Sequence, residues 1–164
     1  MKVEFGKDNI EIVDFSALEA YKIARKLEKD GIEFYRQLLE KNLSAEVSQA
    51  TGFLLSEEKR HLKLFEDKIF ELREKTEDGF EEDALVDSVD TKVFAPFDTV
   101  TDLEKYLTDT RRALKLGVAI EKNSLVFYQA LLNNLKGAQT KREIELIIKE
   151  ENSHLAILEN LLSK

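Results

Sequence analysis

The chain contains two histidines, His61 and His154, and their surroundings match. Each has a glutamate three residues before it, Glu58 and Glu151, and another thirty-three residues before it, Glu28 and Glu121. Seven residues after each of the latter stands a tyrosine, Tyr35 and Tyr128. In Glu-x-x-His the two side chains lie one turn apart on nearly the same helix face, so a carboxylate and an imidazole can reach one region between helices. Two such motifs and two single glutamates supply four carboxylates and two imidazoles. Hard oxygen donors with one nitrogen per metal suit iron, with manganese as the other candidate, better than structural zinc or copper. Four carboxylate charges balance two divalent ions, so the natural reading is one dinuclear centre. Its metal ligands are Glu28, Glu58, His61, Glu121, Glu151 and His154, with Glu28 and Glu121 terminal and Glu58 and Glu151 bridging.

The placement of these glutamates strengthens the reading. All four fall inside apolar stripes, where the helical period calls for Leu or Ala. One such glutamate alone reads as a stripe-edge side chain reaching water. Four together do not, since four buried carboxylates without a cation repel each other or take up protons at large cost. Tyr35 and Tyr128 lie two turns along the same faces and stay open to two readings: phenols donating to a ligand carboxylate of a neighbouring helix, or plain core. Glu57 and Glu150 each precede a histidine by four residues. They could hold the second imidazole nitrogen or merely face solvent, and solvent is the preferred reading.

Four helices must position these groups. With one Pro and six Gly, long stretches are free to be helical. Apolar periodicity predicts helices over about 16–42, 45–77, 109–136 and 141–163. Ser16 with Glu19 forms a capping box for the first, Ser44 caps the second, Asp109 the third, and Thr140 with Glu143 opens the fourth. Gly79 stops the second helix and Gly137 the third. Between the two hairpins a crossover of about 78–108 is expected, with a short helix from Thr101 to Leu107. The acidic stretch from Thr76 to Val100 holds eight acidic residues against Lys92 alone, and reads as a solvated connection rather than a partner-binding tail. The predicted fold is all-α: an antiparallel four-helix bundle made of two helical hairpins joined by a long crossover, one domain over 1–164.

Composition narrows the function. Lys and Arg total 25 against 33 Asp and Glu, a net charge of −8, which argues against nucleic acid or an anionic membrane as partner. Cysteine is absent, so no disulfide, thiol chemistry, iron–sulfur cluster or rubredoxin-type iron is expected from these residues. Residues 1–15 lack the basic start and apolar core of a signal peptide, and a cytoplasmic location is expected.

At the repeated Glu-x6-Tyr-x22-Glu-x2-His the sequence resembles the ferritin-like di-iron carboxylate superfamily, and most of all its rubrerythrin branch, over roughly residues 16–163. The resemblance implies a ferritin-like bundle with a non-haem di-iron site and marks the same six residues as ligands. Two departures qualify it. Ser124 stands where rubrerythrins carry a further ligand Glu, and these 164 residues hold no counterpart of their Cys-rich rubredoxin domain. The six-ligand set is also similar to that of bacterioferritin, but Met1 is the only methionine, so no haem is expected. No fifth helix is expected beyond Lys164, and with it no cage. The resulting expectation is an oxidoreductase that reacts with peroxide or dioxygen at two iron ions, draws on an external electron donor and forms a homodimer. Its rival is ferritin-type iron oxidation and storage.

Overall fold

The computed structural model describes residues 2–5, 10–13, 16–41, 43–75, 107, 109–135 and 137–164. Four helices dominate them: α1 (Ala17–Leu39), α2 (Ala45–Lys75), α3 (Thr110–Asn134) and α4 (Ala138–Leu162). They are preceded by an antiparallel hairpin of β1 (Lys2–Phe5) and β2 (Ile10–Val13), in register Lys2↔Val13 and Phe5↔Ile10, with β2 beside α3. The sequence pattern gives no sign of this hairpin, because four-residue strands are too short for a two-residue period to stand out. The predicted crossover, the stop at Gly79 and the short helix at 101–107 lie, apart from Leu107, outside the described residues.

Three predicted helix starts are present. Ser16 accepts the Glu19 amide while the Glu19 carboxylate accepts the Ser16 amide, a complete capping box. Ser44 Oγ accepts the Val47 amide at 3.3 Å, and Asp109 Oδ1 the Arg112 amide at 2.8 Å. The fourth start differs. α4 begins at Ala138 with no side-chain cap, because its N-cap is Gly137 and Thr140 lies inside the helix; Glu143 accepts from Tyr21 at 2.5 Å and Gln139 at 2.9 Å and pairs with Lys68 at 3.1 Å. Gly137, expected to close α3, instead forms the turn into α4 with φ of 108°, while α3 ends at Asn134 with Leu135 as its C-cap. A positive φ of this size favours glycine because an L side chain would crowd the backbone.

α1 packs along α2 and α3 along α4, as two hairpins. The hairpins then face each other so that Tyr35 meets Glu121 and Tyr128 meets Glu28, which sets α1 antiparallel to α3. His61 beside Glu151 and His154 beside Glu58 set α2 antiparallel to α4. α2 and α3 therefore run parallel. At one end of the bundle Arg111 donates to the Leu162 carbonyl and Lys164 pairs with Glu46. This brings the start of α3 to the start of α2 and explains why a long connection separates them.

The core follows the predicted stripes: Tyr21, Ala24, Leu27, Phe34 and Leu38 from α1, Leu54, Phe65 and Ile69 from α2, Ala113, Ile120, Phe127 and Leu131 from α3, and Ile144, Ile147 and Leu158 from α4. Gly117 lets α3 approach α4, since a Cβ there would stand 3.1 Å from Leu158 Cδ1. Among the described residues no helix is long and apolar enough to cross a membrane. Gly137→Ala is expected to lower stability by about 1–3 kcal/mol, read as a lower urea midpoint with unchanged slope. An unchanged midpoint would show that the turn does not depend on glycine.

Candidate metal centre

Midway along the bundle each helix turns an acidic side chain inward. Glu28 comes from α1, Glu58 and His61 from α2, Glu121 from α3, and Glu151 and His154 from α4, and all six are buried. The helical period places each on the same face as its buried neighbours, so burying Ala24 and Tyr35 also buries Glu28. Gly31 adds room: a Cβ there would lie 3.4 Å from the Glu58 carboxylate.

The six groups form two overlapping clusters among the described residues, Glu28, Glu58, His61 and Glu151 in one, and Glu58, Glu121, Glu151 and His154 in the other. Within each, one candidate ligand atom per residue lies within 4.8 Å of the others. Glu58 and Glu151 belong to both. His61 Nδ1 lies 3.1 Å from Glu151 Oε1 and 3.5 Å from Glu28 Oε2; His154 Nδ1 lies 3.5 Å from Glu151 Oε2 and 3.6 Å from Glu58 Oε1. The two imidazoles lie nearly parallel, 5.6 Å apart between centroids.

Tyr35 and Tyr128 brace the cluster across the hairpins. Tyr35 donates to Glu121 Oε1, and Tyr128 to Glu28 Oε1. Of the two readings of these tyrosines, the structure has the phenols donating to carboxylates of the facing helix. Glu57 and Glu150 do not merely face solvent, the preferred reading, nor does either pair with the histidine of its own helix. Glu150 accepts from His61 Nε2 at 2.9 Å, across from α4 to α2, and pairs with Arg60 at 2.9 Å. Glu57 pairs with Arg60 at 2.8 Å. A signal for the first contact was present in the repeat: once α2 and α4 are antiparallel with His61 at Glu151, residue 150 falls beside His61.

The electrostatics follow from burial. It pushes Glu28 up to about 8, and with the charges of neighbouring glutamates holds Glu58 and Glu121 well above the ordinary carboxylate range. Burial acts the same way on Glu151, but the adjacent His154 and His61 imidazoles outweigh it and keep this carboxylate ionised. His154 shows the complement: burial opposes its charge, yet Glu151 and Glu58 raise it to about 9. Burial and the adjacent glutamates hold both phenols well above 10, so they remain donors.

A solved structure has the same architecture. A Thermotoga maritima protein described as ferritin-like and diiron-carboxylate superimposes with a TM-score of 0.69 over 94% of this chain and 99% of its own, at 22% identity. The fold is ferritin-like. No protein-family model and no curated protein matches the sequence. The ferritin-like bundle accounts for the placement of the helices, and the fit to metal rests on the side chains themselves. Glu28 Oε2, Glu151 Oε1, His61 Nδ1 and His154 Nδ1 are buried without a hydrogen bond and converge on one another. Unpartnered carboxylate oxygens and imidazole nitrogens gathered in a dry interior are the donor set that hard divalent cations satisfy once the protons are displaced.

The raised groups fix the pH behaviour without metal. A carboxyl raised by folding stabilises the protein below its unfolded pKa and loses that contribution as pH climbs through its folded value. Glu28, Glu58 and Glu121 act in this sense, as do His61 and His154, while Glu151 acts oppositely and only in acid. The melting temperature of metal-free protein is expected to fall between about pH 5 and pH 8, with added iron raising it at pH 7 and this gap narrowing in acid. Calorimetry checks it; a flat metal-free profile and no effect of iron would count against the buried cluster.

Proposed function

We propose that this chain holds two iron ions at the six-residue cluster and works as an oxidoreductase, oxidising the reduced pair with peroxide or dioxygen and regaining electrons from an external donor. The observation that carries the reading is the pair of overlapping clusters that share Glu58 and Glu151. Two shared carboxylates suit ions held a few ångströms apart, and Glu28 with His61, and Glu121 with His154, complete the two halves. This is the arrangement by which ferritin-like bundles build di-iron sites, a Glu from each of two helices and a Glu-x-x-His from each of the others.

When bound, a diferrous pair supplies two electrons, which matches the two-electron reduction of peroxide. The surrounding residues have defined tasks. Tyr128 Oη keeps its proton on Glu28 Oε1 and so leaves Glu28 Oε2 turned toward the cluster. Tyr35 Oη holds Glu121 in the same way. Phe34, Phe65 and Phe127, all buried, exclude water around the carboxylates, and Phe65 stacks on Tyr128 at 6.2 Å. An external donor is part of the reading because the 164 residues contain no cysteine for a relay of their own. The assembly expected is a homodimer, checked by mass in solution.

The test is to load the protein with ferrous iron without oxygen, add excess peroxide and follow the near-ultraviolet absorbance of the ferric product. Oxidation of about one iron pair per chain, resuming only when a reductant is supplied, is expected. Continuous uptake of ferrous iron into a growing mineral would instead establish storage, and a reduced protein inert to peroxide and dioxygen would overturn the redox assignment.

A further inference from the structure

The two halves of the sequence repeat every ligand, yet their surroundings are unequal. Arg60 is the difference. Residues 93 positions apart correspond in the repeat, so Glu57 matches Glu150, His61 matches His154, and Arg60 matches Ser153. Arg60 Nη2 lies 2.8 Å from Glu57 and 2.9 Å from Glu150. Ser153 instead donates its hydroxyl to the Lys149 carbonyl of its own helix at 3.1 Å.

This one substitution in the repeat has consequences for both histidines. Glu150 sits 2.9 Å from His61 Nε2. Arg60 Nη2 also lies 3.4 Å from that nitrogen, but as a donor it cannot bond to an N–H, and the shorter carboxylate contact makes Nε2 the proton-bearing atom. The ring of His61 is thereby held with Nδ1 facing Glu28 and Glu151, the atom left to a cation. For His154 the equivalent partner would be Glu57. Glu57 instead accepts from Arg60 Nε and Nη2, and among the described residues no carboxylate is hydrogen-bonded to His154 Nε2. Arg60 thus braces Glu150 on the His61 imidazole, while Glu57 is engaged by Arg60 itself.

We propose that Glu150, clamped by Arg60, is a positioning residue for His61 and makes the dinuclear centre unequal, so that the half formed with Glu28 and His61 takes its ion first and more tightly than the half formed with Glu121 and His154. The inference rests on the two-metal reading above. A carboxylate on the outer nitrogen fixes the ring and makes the inner nitrogen a stronger donor, and loss of such a partner typically costs about 10–100-fold in metal affinity. The half with His154 lacks that advantage, and its ligands are otherwise the same types.

Cobalt(II) is a suitable probe, since its visible bands report coordination and its binding can be followed by calorimetry without any turnover. Metal-free wild-type protein is expected to take two ions per chain in two steps separated by about tenfold or more. Glu150→Ala is expected to weaken the tighter step by about 10–100-fold and leave the weaker one in place, so that the steps merge. Glu150→Gln, which keeps an acceptor oxygen of the same reach but not the charge, is expected to restore part of the separation. Glu57→Ala serves as the comparison and is expected to leave the two steps apart. Residue 150 is half-buried within α4, where the helix backbone accommodates alanine well, and an unchanged far-ultraviolet spectrum verifies the fold. Two wild-type steps of equal affinity, or an equal loss in both steps with Glu150→Ala, would overturn the inequality and leave the two-metal reading standing. Uptake of fewer than two ions by wild-type protein would overturn both.

Discussion

Four carboxylates held together out of water are the constraint around which this bundle is organised. Ionised together, they would cost far more than any single side-chain contact returns, because burial removes their hydration and proximity adds repulsion. The metal-free protein relieves this by leaving protons on Glu28, Glu58 and Glu121 and ionising Glu151 between two imidazoles. The same cluster with its protons removed is a site for cations of matching charge. The helices therefore bear a load: apolar packing on both sides of the centre must hold acidic groups where they would not remain by themselves.

The bracing is shared between the hairpins. Contacts within each hairpin are extensive, while those between hairpins are fewer, and the tyrosine–glutamate bonds are prominent among the latter. Tyr35 and Tyr128 couple the core to the site because each ring packs among buried aromatics and each hydroxyl ends on a carboxylate of the facing helix. A phenol is well suited to this position: its ring belongs to the apolar layer, and its proton satisfies one carboxylate oxygen while leaving the other to the centre.

Approximate two-fold symmetry runs through the site and stops at its rim. Inside, every residue has its counterpart 93 positions on. Outside, Arg60 stands opposite Ser153, and the polar network forms on one side. A repeated scaffold preserves the ligand set, since each ligand has the same task, whereas the rim is free to differentiate the two halves.

Much of this architecture was readable from the chain alone. The helical period identified the stripes, the caps at Ser16, Ser44 and Asp109 located three helix starts, and the matched spacings singled out the six candidate ligands with Tyr35 and Tyr128, because all of these depend on neighbours within a few turns or on an internal repeat. The N-terminal hairpin, the start of α4 and the partners of Glu150 were not readable. Glu143 abandons its local cap for Tyr21 and Lys68, and Glu150 reaches His61 rather than the histidine four residues after it. A carboxylate near a helix surface has a local partner and a partner on the next helix at similar cost, and only the packing of α2 against α4 decides between them. Local chemistry determined which groups could meet at the centre; the antiparallel crossing of the two hairpins decided which atoms do.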